Sequence, residues 1–453
     1  MRKNRDKQLP ISNGIPDHPM AQELQAISAI LDSNLTIYEL GSKDLSCGKR
    51  IDTGRKGMTA EQVIRCAILK SLFDCDYREL AFHLQDSAAA QWFSRLPYGK
   101  KVDFRTLQQN IKRIKASTWE ETNRILVRYA KKEGIENGKK IRADCTVVES
   151  NIHHPTDSSL LSDCVRVLTR LVCRVGEEFP RCALPFRNHL RAAKRRAMEI
   201  LHAKNDKKRR KAYRKLLHAC EETVQNASVA ASYLRSLEHA DPLKALQCQS
   251  MAQEIDDYIT AAVKVVDQTR RRVINGEQVP VQDKIVSIFE IHTDIIVKDR
   301  RETLYGHKVC LSAGASSLIT DCVIEDGNPA DSTLVDRCLE RHKAVFECYP
   351  RQVAFDGAFA SKQNLALAKD KEGVEDVAFA KKRGLNVLDM VKSMWVYRKL
   401  RRFRAGVEGC ISAVKRICGL DVCTWKGYEG FKRYVLCGVV SFNLLVIARH
   451  LLN

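Results

Sequence analysis

The chain has 453 residues, of which 44% are hydrophobic and 29% charged, a composition that fits two or three globular domains and excludes a low-complexity or fibrous protein. Lysine and arginine number 76 against 55 aspartates and glutamates, a formal charge of +21. A field of that sign attracts polyanions and favours nucleic acid as a partner, although an anionic membrane surface or a ribosome fits the same number.

The cysteines and the chain ends bear on the cellular compartment. The 17 cysteines are scattered in apolar contexts, with no Cys-x-x-Cys pair and no Cys/His cluster at zinc spacing. We therefore expect reduced core residues of a cytoplasmic protein. The N-terminus lacks the apolar segment of a signal peptide. The apolar run at 435–452 is short and interrupted by polar residues, which favours a buried C-terminal helix and no membrane partner.

Residues 1–20 are predicted to be a basic tail, and residues 21–135 an all-helical domain with short connections. Apolar residues at 20–40 have helical spacing, and residues 42–57 are expected to form a basic loop. The sequence Thr59-Ala60-Glu61-Gln62 is a capping box that begins the next helix. Further helices are predicted at 76–85, 87–93, 104–115 and 118–132.

The predicted helix from about Thr106 has side chains suited to reading DNA. Glutamine and asparagine can bind adenine edges, and lysine and arginine can hold phosphates. These residues are Gln108, Gln109, Asn110, Lys112, Arg113 and Lys115. A helix-turn-helix-like reader is one interpretation. A solvated face of an ordinary helical bundle is the alternative, and these residues alone do not decide between the two.

A strand is predicted at 141–148, where apolar and mostly polar residues alternate. Asp144 lies in the middle of its polar face, where strand propensity disfavours aspartate. Such a local conflict often marks a functional site, although a lone strand aspartate more often only faces solvent. Glu149 is an odd number of residues from Asp144, so it faces the other side and is left out of the candidate site.

A long helical stretch follows, to about residue 272, and we assign residues 161–283 to a basic helical insertion. Positive charge is dense at 194–196 and 207–215. A charge run is usually a solvated face, and a clamp on a DNA backbone is the alternative. His153 and His154 are adjacent on an extended segment and point to opposite faces, so we expect no metal site there.

Strands return after the insertion, at 285–290, 305–312, 317–324, 352–355 and 377–380. Helices are predicted at 331–342, from 361, at 388–418 and at the C-terminus. This order predicts an α/β domain, formed by residues 136–160 and 284–453, whose mixed sheet is covered by helices. Asp356 follows a strand, at the carboxyl end where open α/β sheets bind ligands.

Three carboxylates stand out: Asp144 within a strand, Asp356 at the end of a strand and Glu408 on a late helix. Clustered carboxylates stay ionised only when cations neutralise them. Mg²⁺ is held by carboxylates together with substrate phosphate oxygens. Two such ions, roughly 3.5–4 Å apart, can promote an in-line displacement at phosphorus. In a basic protein this chemistry predicts phosphodiester cleavage in nucleic acid.

The motifs around these acids resemble those of the DDE transposases of bacterial insertion sequences, whose catalytic domain has a ribonuclease H-like fold. The segment 142–152, Arg-Ala-Asp-Cys-Thr-Val-Val-Glu-Ser-Asn-Ile, is similar to their first motif, and 353–359, Val-Ala-Phe-Asp-Gly-Ala-Phe, to their second. The segment 305–308, Tyr-Gly-His-Lys, is similar to a strand between them. Arg404, Glu408 and Lys415 match the Arg-x3-Glu-x6-Lys part of their Tyr-Arg-Glu-Lys signature. Arg401 stands in the position of the signature tyrosine, and the nearest tyrosine is one helical turn earlier.

The resemblance covers roughly residues 58–452 and implies roles for individual side chains. Asp144, Asp356 and Glu408 would hold two Mg²⁺ ions, for which Mn²⁺ can substitute. Arg404 and Lys415 would grip DNA phosphates on the stripe of the helix that carries Glu408. Further DNA-binding candidates are Arg401, His307 and Lys308, with core packing as the alternative for His307.

The resemblance implies a transposase that binds the terminal inverted repeats of its element through the N-terminal helical domain. It would hydrolyse a phosphodiester bond at each element end and transfer the 3′-hydroxyl to target double-stranded DNA, as a homodimer. Two rivals remain: a nuclease on the same fold that cleaves without strand transfer, and a catalytically inactive DNA-binding regulator derived from a transposase.

Overall fold

A computed structural model describes residues 4, 17–47, 56–97, 99–179, 186–237, 241–298 and 302–453. Most of the predicted basic tail lies outside these residues, and so do residues 48–55 of the loop predicted at 42–57. The loop prediction is wrong for residues 42–46, which end a helix that buries Leu45. The chain forms two compact units. Unit one contains Met1–Asn151 and Gly306–Asn453, and unit two contains Ile152–Tyr305.

Seven helices open unit one: α1 (Pro19–Ser33), α2 (Thr36–Ser46), α3 (Ala60–Leu72), α4 (Tyr77–Asp86), α5 (Ala88–Ser94), α6 (Phe104–Ile111) and α7 (Ala116–Lys132). The predicted capping box is confirmed, because the Thr59 hydroxyl accepts the Gln62 N–H and the Gln62 side chain accepts the Thr59 N–H. The helical spacing predicted at 20–40 is confirmed, and it spans two helices. Asn34 ends α1 by donating its backbone and side-chain N–H groups to the Leu31 and Ile30 carbonyls.

Unit two contains α8 (Asp157–Glu178), α9 (Leu190–Leu201), α10 (Asp206–Ser236), α11 (Pro242–Thr269) and the strand β2 (Asp294–Lys298). The helices share a core of their own, which includes Leu168, Cys220 and Val265. The strand predicted at 285–290 is wrong, since these residues form no strand. The Gln268 side chain binds both the N–H and the carbonyl of Ile285, which satisfies this buried backbone without a partner strand.

The chain returns to unit one along β3 (Glu302–Ala313), followed by β4 (Ile319–Ile324), β5 (Gln352–Phe355), β6 (Asp376–Phe379) and β7 (Val422–Cys423). With β1 (Lys140–Ser150) they form a mixed sheet in the order β4-β3-β1-β5-β6. The β4-β3 and β3-β1 pairs are antiparallel, and the β1-β5 and β5-β6 pairs are parallel. Strand β7 pairs with the end of β1. The predicted mixed α/β class is confirmed.

Helices α12 (Val335–Phe346), α13 (Lys362–Asp370), α14 (Val387–Met390), α15 (Met394–Cys418) and α16 (Tyr428–Leu452) complete unit one. Strand β1 is covered on both faces: Ile141 and Ala143 pack in one hydrophobic core, and Val148 packs in another with the N-terminal helices and α16. Val148 lies on the same mostly polar face as Asp144 and is buried, because a central strand between two helical layers buries apolar residues on both sides.

Helix α16 joins the N-terminal helices to the sheet. It contacts α1, α3 and α7, and its buried Asn443 amide binds Ile319 of β4 and Asn123 of α7. By length and composition α16 could cross a membrane, but 72% of its most apolar window is buried within the structure. The predicted domain boundary near residue 135 thus differs from the observed units, because elements on both sides of it share one core.

Candidate active site

Two strand-borne aspartates lie side by side because of the register of the sheet. Ala143 of β1 is paired with Phe355 of the parallel strand β5. Asp144 and Asp356 are the next residues in their chains, so they follow at neighbouring positions where β5 ends. Adjacent strands are about 4.8 Å apart, which brings the two carboxylates within reach of one cation.

Helix α15 supplies the third carboxylate, and Arg404 of the same helix contacts all three. Arg404 Nη2 is 2.7 Å from Asp144 Oδ2 and 3.0 Å from Asp356 Oδ1. Arg404 Nη1 is 2.7 Å from Oε1 of Glu408, one helical turn further on. Acids separated by more than 260 positions in the chain therefore meet around a single guanidinium.

Two basic side chains fix α15 against β1 on either side of this cluster. Arg142 is buried, and its guanidinium donates to the Phe403 carbonyl (2.9 Å), the Ser317 hydroxyl (3.1 Å) and Cys410 Sγ. Lys415 donates to the Val147 carbonyl (2.9 Å). Sequence reasoning missed the role of Arg142. The available signal was a strand arginine two residues before Asp144, on the same face.

The electrostatics of the cluster are uneven. The exposed fractions of the side chains are 16% for Asp144, 32% for Asp356 and 63% for Glu408. Burial raises the pKa of Asp144 above its ordinary value, and nearby Asp356 acts in the same direction, whereas Arg404 and the Cys145 N–H oppose it. One guanidinium thus faces three carboxylates, and the cluster is short of positive charge.

The donor set suits a hard divalent cation. In the described part of the chain, no group of three or more His, Cys, Asp or Glu side chains is arranged to hold a metal ion. At this cluster Arg404 occupies the centre, with one nitrogen between oxygens of Asp144 and Asp356. Carboxylate oxygens around a cationic centre are the ligands that Mg²⁺ uses. The residues therefore fit Mg²⁺ if the Arg404 side chain swings away.

Two candidate phosphate-binding residues on α15 differ in their surroundings. Arg401 is exposed, with its guanidinium 5.9 Å from the ring centre of Tyr397. Tyr397 is buried and donates its hydroxyl to the Phe379 carbonyl, so it does not replace the signature tyrosine. Lys415 is engaged with Val147 and with Asp421 (3.1 Å), so phosphate binding by Lys415 stays a prediction that requires these contacts to break.

The strand candidates His307 and Lys308 point into the protein. His307 is 2% exposed and packs against the rings of Tyr428 and Phe431. The ammonium of Lys308 binds the Pro329 carbonyl and Asp331. This arrangement favours core packing for both residues, and the hypothesis that they contact DNA gains no support from it.

The predicted reader helix is shorter than expected, because α6 ends at Ile111. Gln109 and Arg113 are exposed, and Gln108 and Lys112 are half-buried. Lys112 and Arg113 come after the last residue of α6, so they do not extend the helix face that carries Gln108 and Gln109. Asn110 is buried and donates to the Thr106 carbonyl, so it is held away from any ligand.

The basic runs of unit two lie on α9 and α10. The long basic side chains at the beginning of α10 are exposed, whereas Tyr213 and Leu216 on its other face are buried. His153 lies 3.4 Å from Asp163, and His154 packs edge-on against Tyr305. The two histidines thus have separate partners.

The fold and the acid cluster define an α/β protein with a candidate cation-dependent centre. Residues 13–113, which include α1 to α6, match a family model described as a transposase domain (DUF772). This match supports a transposase family for the chain, and an enzyme of that kind. No curated protein and no solved structure matches the chain.

Proposed function

We propose that the chain is a DNA transposase of the DDE type with a ribonuclease H-like catalytic domain. The observation that carries the proposal is the meeting of Asp144, Asp356 and Glu408 around Arg404. The transposase-domain match and the mixed sheet covered by helices are compatible with it. The matched N-terminal helices would bind the terminal inverted repeats, with the protein as a homodimer on DNA.

The residues divide the work as follows. Asp144, Asp356 and Glu408 would hold two Mg²⁺ ions after the Arg404 side chain leaves them. Bound Mg²⁺ supplies activation of the attacking oxygen and stabilisation of the leaving oxygen. The rigid pair of strand aspartates fixes the position of the scissile phosphate, and the more exposed Glu408 closes the site from α15. Arg404, once released, is free to contact a DNA phosphate.

Hydrolysis at an element end leaves a 3′-hydroxyl, which then attacks a phosphodiester bond of target DNA. In each of the two steps an oxygen–phosphorus bond forms while the opposite one breaks. No covalent enzyme intermediate is required.

A cleavage assay tests the proposal. The substrate is linear duplex carrying the genomic sequences that flank the reading frame, with Mg²⁺. We expect Asp144→Asn, Asp356→Asn and Glu408→Gln each to reduce nicking more than about 100-fold. Replacing a residue that only hydrogen-bonds to a metal ligand already lowers activity or metal affinity about 10–100-fold. Each variant should still bind the duplex.

Matched controls are Asp370→Asn and Glu372→Gln, the same chemical changes at exposed positions. They should cleave like the unaltered protein. Undiminished nicking by any of the three site variants refutes the assignment. Cleavage without joined products in a plasmid assay identifies the nuclease alternative, and duplex binding without any Mg²⁺-dependent cleavage identifies the regulator.

A further inference from the structure

One ridge of α15 leads from an exposed tryptophan to the acid cluster. Trp395, Arg398, Arg401 and Arg404 are spaced three residues apart, so they form one row that winds around the outer surface of the helix, with Trp395 and Arg404 half a turn apart. The row ends at Arg404, which contacts Asp144, Asp356 and Glu408. From Trp395 to Arg404 the helix rises about 13 Å. We call this row the Trp395 ridge.

The positive charges of Arg398 and Arg401 on the Trp395 ridge have no acidic partner among the residues that the structure describes. Residues 390–407 include six lysines and arginines and no acidic residue. Among the described residues, none forms an ion pair with Arg398, Arg401 or their neighbours Lys399 and Arg402. The helix also has no acidic residue in its first turn, although the amino end of a helix favours negative charge. The uncompensated cations indicate a polyanionic ligand.

The tryptophan specifies the ligand further. Trp395 is 67% exposed, and the Lys399 ammonium lies 4.9 Å from its ring centre. The other tryptophans are less accessible: Trp119 and Trp425 are buried, and Trp92 is half-buried. An exposed aromatic ring beside arginines that can track a backbone is how proteins bind unpaired nucleotides. Base faces are stacked on each other inside a duplex, so a base can reach Trp395 only from an unpaired strand.

We infer that the Trp395 ridge binds single-stranded DNA, with a base stacked on Trp395 and the phosphates on Arg398 and Arg401, directed toward the acid cluster. The position of this site beside the scissile bond depends on the proposed function, but the binding itself does not. A strand held in this way would be opened next to the bond that is cut. The Trp395 ridge would therefore hold unpaired DNA near the reaction centre of this chain.

The test measures binding of a labelled short oligothymidylate in EDTA, where no metal-dependent cleavage can occur. Trp395→Leu should weaken binding about tenfold, the loss of one stacked base, and Trp395→Phe should restore most of it. Arg398→Gln should lower the salt dependence of binding by about one phosphate contact. The matched control is Phe289→Leu, a change at another exposed aromatic residue (40%), outside the N-terminal helices and outside α15, which should leave binding unaltered.

Intrinsic fluorescence gives a second readout. Stacking should quench tryptophan emission in the unaltered protein, and Trp395→Phe should abolish that quenching while binding persists. Equal affinity of Trp395→Leu and the unaltered protein for oligothymidylate overturns the inference. So does displacement of the oligonucleotide by oligoglutamate of equal charge, because that result indicates an acidic protein partner. Asp356→Asn removes one negative charge beside Arg404 and should bind oligothymidylate at least as tightly as the unaltered protein while cleavage is lost, so failure of the proposed catalysis and failure of this inference are separable.

Discussion

Two of the arginine–carboxylate networks in the described part of unit one differ in charge balance. In the first, Arg65 is fully buried and binds Asp32 (3.0 Å) and Glu61 (3.1 Å). Arg95 contacts the same two acids at 3.0 and 3.7 Å. Two guanidinium groups and two carboxylates are balanced and enclosed by α1, α3 and the end of α5.

In the second network, Arg404 alone faces Asp144, Asp356 and Glu408. If all three acids are ionised, two positive charges are missing, and Glu408 is open to solvent. An arginine among carboxylates can thus have two purposes. A balanced, closed network holds helices together, whereas an unbalanced, open one is suited to a cation that arrives from outside. Once Arg404 leaves the acids, three positive charges are missing, and the two proposed Mg²⁺ ions supply them.

The largest effect is expected at the balanced network. Arg65→Leu leaves Asp32 and Glu61 without one of their two cations in a buried setting, which should lower the free energy of unfolding by about 3–5 kcal/mol. Urea unfolding measures it, and Mg²⁺ should not restore the loss. Arg113→Leu, at an exposed position, is the control and should change stability by less than about 0.5 kcal/mol. A comparably small change for Arg65→Leu contradicts a structural role.

A smaller change in stability is expected at Gly406 of α15, and none of this kind at Gly409. A Cβ at position 406 would lie 1.9 Å from Arg142 Nη1, whereas position 409 has open space. Gly406→Ala should therefore displace the Arg142 guanidinium from its partners and cost about 1–3 kcal/mol. Gly409→Ala should stabilise the helix by up to about 1 kcal/mol. Equal unfolding midpoints for the two variants would show that Arg142 does not hold α15 in place.

The unbalanced network should respond to metal. Arg404→Ala leaves three carboxylates without their cation, which should cost about 1–2 kcal/mol after allowance for their exposure to solvent. Mg²⁺ at a hundred times its dissociation constant should return about 2.7 kcal/mol. Thermal unfolding with and without Mg²⁺ measures both. If Mg²⁺ stabilises Arg404→Ala no more than it stabilises Arg65→Leu, the two networks do not differ in their response to a cation.

The smallest effect concerns Lys415. If Lys415 acts as a tether to Val147, Lys415→Met should lower the free energy of unfolding by about 0.5–1.5 kcal/mol. The salt dependence of DNA binding should then be unaltered. As a phosphate ligand, the same change should lower the salt slope by about one and spare stability. Urea unfolding and DNA binding at several salt concentrations distinguish the two roles.

Local signals made much of the fold predictable from the sequence. The capping box at Thr59 and the strand at 352–355 were found where the sequence indicated them, because caps and short apolar runs act through nearby residues. The failure at 285–290 has a tertiary cause, since Gln268 satisfies a backbone that the apolar pattern assigned to a strand. Helix α16 could be predicted as buried, but not that it joins the N-terminal helices to the sheet.

The candidate site shows the same limit. Motif order selected Asp144, Asp356 and Glu408, and the parallel register of β1 and β5 explains why the two aspartates are neighbours. Spacing along the helix predicted that Arg404 lies near Glu408. It could not show that the guanidinium reaches across to both strands, because that contact depends on how α15 packs on the sheet.

The most direct test of the central claim is binding of Mn²⁺, followed by electron paramagnetic resonance, in the absence of DNA. The account predicts saturable binding to the unaltered protein and to Asp370→Asn and Glu372→Gln. Binding should be tighter in Arg404→Ala, where the competing guanidinium is gone, and lost in Asp144→Asn and Asp356→Asn. Equal Mn²⁺ binding by the unaltered protein and the two aspartate variants would contradict the claim that these carboxylates form a cation site.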